Sequence, residues 1–170
     1  MVGRFGGAFS YDPTPQYFSV PHDQSVSFPD VLTVAVWFYP HTYPADWRPV
    51  VAKVEPGTED ANYWIGTYND TFCVLHHALG SWYLDCSVSY PANQWYLLVG
   101  TWDDPMGDYR LYVNGGLAAQ YQTDVDLPEV VAPITIGWAP ADDGVDGVID
   151  EVVIWHRLLS QQEIQALYVP

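Results

Sequence analysis

Gly147-Val148-Ile149-Asp150-Glu151-Val152-Val153-Ile154-Trp155-His156-Arg157-Leu158-Leu159-Ser160-Gln161-Gln162-Glu163-Ile164-Gln165-Ala166-Leu167-Tyr168 is the run on which the fold turns. Val148 to Trp155 is apolar on both faces except at Asp150 and Glu151, the pattern of a strand covered on both sides. Ser160 with Glu163 three residues on makes a capping box, in which each side chain satisfies an otherwise orphaned backbone N–H. Ile164, Leu167 and Tyr168 then fall at the spacing of a helix with one apolar face. The run therefore predicts a buried strand, a tight connection and a short C-terminal helix packed on the rim of the strand's sheet.

Upstream, short strands alternate with turn residues. Val, Tyr, Trp, Phe and Thr dominate the runs 8–11, 17–20, 32–39, 49–54, 63–68, 94–102, 109–113, 117–122 and 134–138, as half-buried pleated surfaces favour. Pro and Gly recur between them, as in an antiparallel sandwich. Leu32–Tyr39 and Trp95–Val99 carry apolar side chains on both alternating faces, which predicts central strands. Asn114-Gly115 between two such runs is a hairpin signal, because both residues tolerate positive φ. No helical period precedes Ser160, and one domain spanning residues 1–170 is the expectation.

Several of these segments carry a family pattern. Gly7-Ala8-Phe9-Ser10-Tyr11-Asp12, Leu32-Thr33-Val34-Ala35-Val36-Trp37-Phe38-Tyr39-Pro40, Asn93-Gln94-Trp95, Leu111-Tyr112-Val113-Asn114-Gly115 and the run from Gly147 to Tyr168 occur in the family's order. The chain resembles the laminin-G-like, concanavalin A-like jelly-roll family over nearly its whole length. The resemblance implies an all-β, two-sheet antiparallel jelly-roll sandwich with one short C-terminal helix. It implies a binding or adhesion module rather than an enzyme. It also implies a structural Ca²⁺ held by Asp150 with backbone carbonyls near Asp12.

Composition narrows the partners. Aromatic residues make up 16% of the chain and hydrophobic ones 49%, enough for the chain to bury its own core. No run approaches the ~18 apolar residues of a membrane span, so no membrane insertion is expected. The N-terminus lacks a basic stretch followed by an apolar one, so no signal peptide is read. Asp plus Glu number 21 against 5 Lys plus Arg, a net charge of −16. Such a surface repels phosphate backbones, which excludes nucleic-acid binding. Acidic, lysine-poor surfaces also match proteins of high-salt, halophilic settings, where screening tames self-repulsion.

If residues 78–81 form a hairpin loop, His77 faces Trp82, Leu75 faces Leu84 and Cys73 faces Cys86. Opposed positions lie within disulfide reach. Two buried free thiols are the alternative, because sequence fixes no redox compartment.

The remaining chemistry lies in acids and aromatics. The chain has no nucleophile elbow, metalloprotease motif or phosphate loop. His76 and His77 are adjacent on a strand and so point to opposite faces. Asp103, Asp104 and Asp108, and Asp142, Asp143 and Asp146, form two acidic loops with the carboxylates calcium favours. Trp47, Trp82, Trp102 and Trp138 lie near predicted loops. Exposed indoles beside carboxylates such as Asp142 and Asp143 suit sugar rings and protein anchors alike. The sequence therefore predicts a non-catalytic module that binds glycan or protein at an exterior surface. Its lone module and missing leader point to a component of an extracellular assembly, such as a virus-particle decoration or spike, with protein partners or copies of itself.

Overall fold

The strand pattern is realised as two six-stranded antiparallel sheets facing each other. The structure is a computed structural model that describes residues 3–11, 16–140 and 142–168. The strands are β1 (Phe9–Tyr11), β2 (Phe18–Val20), β3 (Val31–Pro40), β4 (Trp47–Val54), β5 (Ala61–Tyr68), β6 (Thr71–Ala78), β7 (Ser81–Ser89), β8 (Tyr96–Asp103), β9 (Asp108–Val113), β10 (Gly116–Gln122), β11 (Ile134–Ile136) and β12 (Gly147–Trp155). Helix α1 covers Gln161–Leu167. One sheet runs β1-β12-β3-β8-β9-β10 and the other β2-β11-β4-β5-β6-β7. The expected jelly-roll sandwich is thus the observed architecture.

Strand parity explains the core. Leu32, Val34, Val36 and Phe38 of β3 and Leu98 and Trp102 of β8 face the second sheet, meeting Val51, Tyr63, Ile65, Phe72 and Val74. The alternate residues Ala35, Trp37, Leu97 and Val99, with Tyr112, face the other way and pack against Ile164 and Leu159. Both strands are therefore covered twice, by the opposite sheet and by α1 and its approach, as their apolar runs require.

Helix α1 begins with the expected capping box: Ser160 Oγ accepts from the Glu163 N–H, and the Glu163 carboxylate accepts from the Ser160 N–H. Its position corrects the sequence reading. It lies over the middle of the first sheet rather than on the rim, because Trp37, Leu97 and Tyr112 present an apolar surface there that Ile164 and Leu159 cover. Ile164 is fully buried in consequence.

Two hairpins fix register, one in each sheet. Asn114 and Gly115 have φ of 52° and 80°, so the Asn-Gly turn forms as the residues suggest. Between β6 and β7 the loop is tighter than expected. Ala78 pairs with Ser81, leaving a two-residue turn of Leu79 and Gly80 with φ of 54° and 72°. The downstream pairing is as read: His77 opposite Trp82, Leu75 opposite Leu84, Cys73 opposite Cys86. Cys73 and Cys86 are joined by a disulfide, their Cα atoms 4.1 Å apart.

Candidate functional site

The second sheet turns a second apolar surface outward. While Tyr63, Ile65, Phe72 and Val74 face the core, Ala52, Ala61, Trp64, Cys73 and Leu75 face away from it. Among the described residues, no helix lies there. The loop between β11 and β12 crosses part of the surface, bringing Ala139 into contact with it.

Trp64 fills the centre and is 2% exposed. Its room comes from Gly66, two residues on and on the same face, where a Cβ would fall 2.4 Å from the indole. Trp47 opens β4 and meets Trp64 edge-on, centroids 5.8 Å apart at 76°. Its own ring stacks on Tyr68 at 4.5 Å. Trp82, at the start of β7, packs against His77 at 4.3 Å and remains 49% exposed. His77 is held in turn by Asp60, with Nδ1 to Oδ1 at 3.2 Å. Trp47, Trp64, Trp82, Leu75, Leu84 and Asp142 line a cavity of about 150 Å³.

Asp142 supplies the cavity's charge. The Trp64 indole N–H donates to its Oδ2 at 3.2 Å. Burial pushes its carboxyl up to about 6. The Trp64 bond and Arg48 pull the other way, while Asp143 and Glu59 push with the burial. Arg48 fastens the covering loop to β4. Its guanidinium donates to Gly144 O at 3.1 Å and lies 3.3 Å from Asp143 and 3.6 Å from Asp46.

The structure brings together three of the six residues picked out as ligand-binding, Trp47, Trp82 and Asp142. Asp143 is outside the cavity wall, an exposed partner of Arg48. Trp138 stacks on Tyr17 beside β2, at 4.8 Å. Trp102 is a correction. It is fully buried between the sheets against Tyr63, because it shares the inward parity of Leu98 and Gly100, and Gly100 leaves space for its ring. The acids that follow it suggested a loop, but they begin one residue too late to expose it. Sequence reasoning missed Trp64, Leu75 and Leu84. The available signal was Trp64 followed by Gly66 in a strand of otherwise large side chains.

The two histidines diverge as expected. His77 faces the cavity side, whereas His76 lies inward between Tyr83 and Tyr109, each 4.9 Å away, with Nδ1 2.9 Å from Tyr121 Oη. Burial, reinforced by His77, holds His76 down at about 4.

Asp150, the carboxylate of the expected calcium site, is engaged by backbone donors. Asp150 accepts backbone N–H groups from Glu151 at 3.0 Å and Phe5 at 3.3 Å, where a hard cation needs several converging oxygens. Asp12 lies outside the described residues. Asp104 accepts from Tyr109 Oη and the Leu127 N–H, and Asp146 from Thr42 Oγ1. Among the described residues, no three His, Cys, Asp or Glu side chains cluster as a metal site.

Residues 12–165 match a laminin G model described as the concanavalin A-like lectin/glucanases superfamily. Among solved structures, the chain is similar to domain 4 of AbnA, a GH43 extracellular arabinanase from Geobacillus stearothermophilus, in complex with arabinotriose. The TM-score is 0.80 and the identity 19%, over 99% of this chain and 80% of that one. It is also similar to the CBM40 of a Ruminococcus gnavus IT-sialidase bound to α2,3-sialyllactose, with a TM-score of 0.76 and 12% identity over 95% and 96% of the two chains. A third likeness is to the binding domain of Paraclostridial Mosquitocidal Protein 1, with a TM-score of 0.79 and 15% identity over 99% of this chain and 44% of that one. At these identities the likeness is one of fold. A comparison with curated protein sequences returns no match.

Proposed function

The chain belongs to the concanavalin A-like lectin/glucanase superfamily, and on that premise we propose that it is a non-catalytic glycan-binding module. One observation carries the reading: three indoles from three strands converge with a carboxylate around an open cavity on the sheet face that no helix covers. Indoles offer flat faces for the C–H side of a sugar ring, and a carboxylate accepts its hydroxyls. Two of the similar structures hold sugar ligands, arabinotriose and sialyllactose, which supports the reading. Glycoside hydrolysis ordinarily uses two carboxyl groups flanking one bond, and among the described residues Asp142 is the one carboxylate in the cavity wall. We place its work at an extracellular surface, for which the strongly acidic composition is the support.

A glycan array probed with the labelled chain tests this. Binding that Trp82→Ala abolishes is the expected result. A blank array at both low and high salt overturns the reading.

A second reading, a component of an exterior assembly such as a virus particle, is favoured by a different observation. Strands β1 and β2 end their two sheets on the same side. Phe9, Phe18 and Val20 stand 57%, 45% and 42% exposed there. Light scattering on eluted peaks tests it, and a strict monomer at every concentration overturns self-assembly.

A further inference from the structure

Resting on the glycan reading of the same cavity, we propose that its ligand is a sugar carrying a protonated amine, and that sugar acids are rejected. Three observations converge on this.

The first is the wall. Indole faces attract cations through the negative charge of their rings, and a cage of several such rings beside a carboxylate is a common answer to an organic ammonium group. Trp47 and the half-exposed Trp82 flank the cavity, Trp64, only 2% exposed, closes its floor, and Asp142 supplies the full charge. At about 150 Å³ the cavity is smaller than the roughly 300–1,000 Å³ of a drug-sized pocket, so it holds one ring and leaves the rest of a chain outside.

The second is an inventory of the protein's own cations. It has five Lys and Arg in all, and none lines the cavity. Arg4 lies over the rings of Phe5 and Trp37, on the other sheet. Arg48 is buried and engaged by Gly144 O, Asp143 and Asp46. Lys53 is 1% exposed, its ammonium directed at Ala132 O and Val26 O. Arg110 pairs with Asp108, and Arg157 with Glu163. A uronate or sialate carboxylate would meet Asp142 with no cation in the cavity wall, Arg48 being buried and already engaged by Asp143 and Asp46, inside the field of a chain of net charge −16. That same field gathers cations.

The third is the state of Asp142. Its side chain has one donor in the wall, the Trp64 indole N–H. A half-buried carboxylate of this kind is short of positive charge. Burial already lifts its carboxyl to about 6, against the opposing pull of the Trp64 bond and Arg48 and with the push of Asp143 and Glu59. A bound ammonium favours the ionised form, so affinity falls as the pH drops below that value.

Isothermal titration of the intact chain tests this with five probes: glucosamine trimer, its N-acetylated form, cellotriose, trigalacturonate and choline. At about pH 6.5, where the sugar amine and the Asp142 carboxylate are both largely charged, the glucosamine trimer binds on the order of tenfold tighter than cellotriose or the N-acetylated trimer, and trigalacturonate does not bind. At about pH 5 the preference shrinks to roughly threefold or less, since Asp142 is then largely protonated. Asp142→Asn, which keeps an acceptor for the Trp64 N–H, removes the preference at both values. Trp82→Ala, which replaces a half-exposed side chain, removes choline binding. Sugar binding with no preference for the amine overturns this inference and leaves the glycan reading standing. Choline binding with every sugar silent overturns the glycan reading, and recognition of ammonium survives it.

Discussion

At the scale of single residues, two titratable groups, the half-buried Asp142 and the buried His76, act in opposite directions over the same pH range. Asp142 has its carboxyl raised from an ordinary 3.8 to about 6. The native state therefore holds a proton that the unfolded chain has released, and stability falls as pH climbs through that window. His76 is held down from 6.5 to about 4. Its neutral form is the native one, so its contribution is complete above the ordinary value and is lost as pH falls toward 4. The two slopes partly cancel in the intact protein, and single substitutions separate them. Asp142→Asn is expected to raise the melting temperature at pH 7.5 and to leave it unchanged near pH 4. A variant that melts lower at pH 7.5 sinks the account of Asp142. His76→Gln is expected to flatten the loss of stability between about pH 6.5 and pH 4. An unchanged slope there removes His76 as its source. None of this was readable from sequence. That His76 and His77 face opposite ways follows from strand parity alone, but the burial of His76 depends on Tyr109 and Tyr121, from β9 and β10, distant in the chain.

At the scale of elements, the β6–β7 hairpin underlies the cavity. Cys73 is fully buried beside Leu75 on the outward face, and Leu75 and Leu84, opposite each other, line the cavity directly. The bridge to Cys86 closes a loop of 13 residues, for which chain-entropy reasoning gives about 3 kcal/mol. Cys73→Ala with Cys86→Ala is expected to lower the unfolding free energy by roughly that amount in urea titrations. A loss below about 1 kcal/mol would show that strand pairing alone holds the floor. The pairing of this hairpin was legible because two-residue periodicity fixes every opposed pair once the turn is placed. The same periodicity made the doubly covered β3 and β8 legible. At Trp102 the same periodicity was right, and reading the following acids as a loop outweighed it. The cavity was half legible for a physical reason. Trp47 and Trp82 begin strands, so turn residues mark them. Trp64 lies mid-strand, and only the sheet order places it between them.

For the whole molecule, charge and shape work against each other. The sandwich is closed along one side, where the Gln120 N–H of β10 donates to Asp85 of β7 across the two sheets. On the other side β1 and β2 are terminal in their sheets, and the Phe9 and Phe18 rings lie 4.0 Å apart with both still exposed. Terminal strands with apolar side chains are templates for association, and proteins commonly blunt them with charge. Here the blunting is global rather than local, because a net charge of −16 repels any second copy. The range of that repulsion is set by salt: about 30 Å at 0.01 M, about 10 Å at 0.1 M and about 3 Å at 1 M. At the lowest salt it reaches well beyond contact distance, and at the highest it vanishes before two edges meet. Attraction between apolar edges is not screened in this way. The chain is therefore expected to be monomeric at about 0.01 M salt and to associate at about 1 M, as read by light scattering. Phe18→Ser should keep it monomeric at both, since Phe18 lies on an exposed edge strand and its loss costs the core little. Association that persists in Phe18→Ser moves the contact elsewhere. A monomer at 1 M salt means that these rings serve only to close the open side of the sandwich.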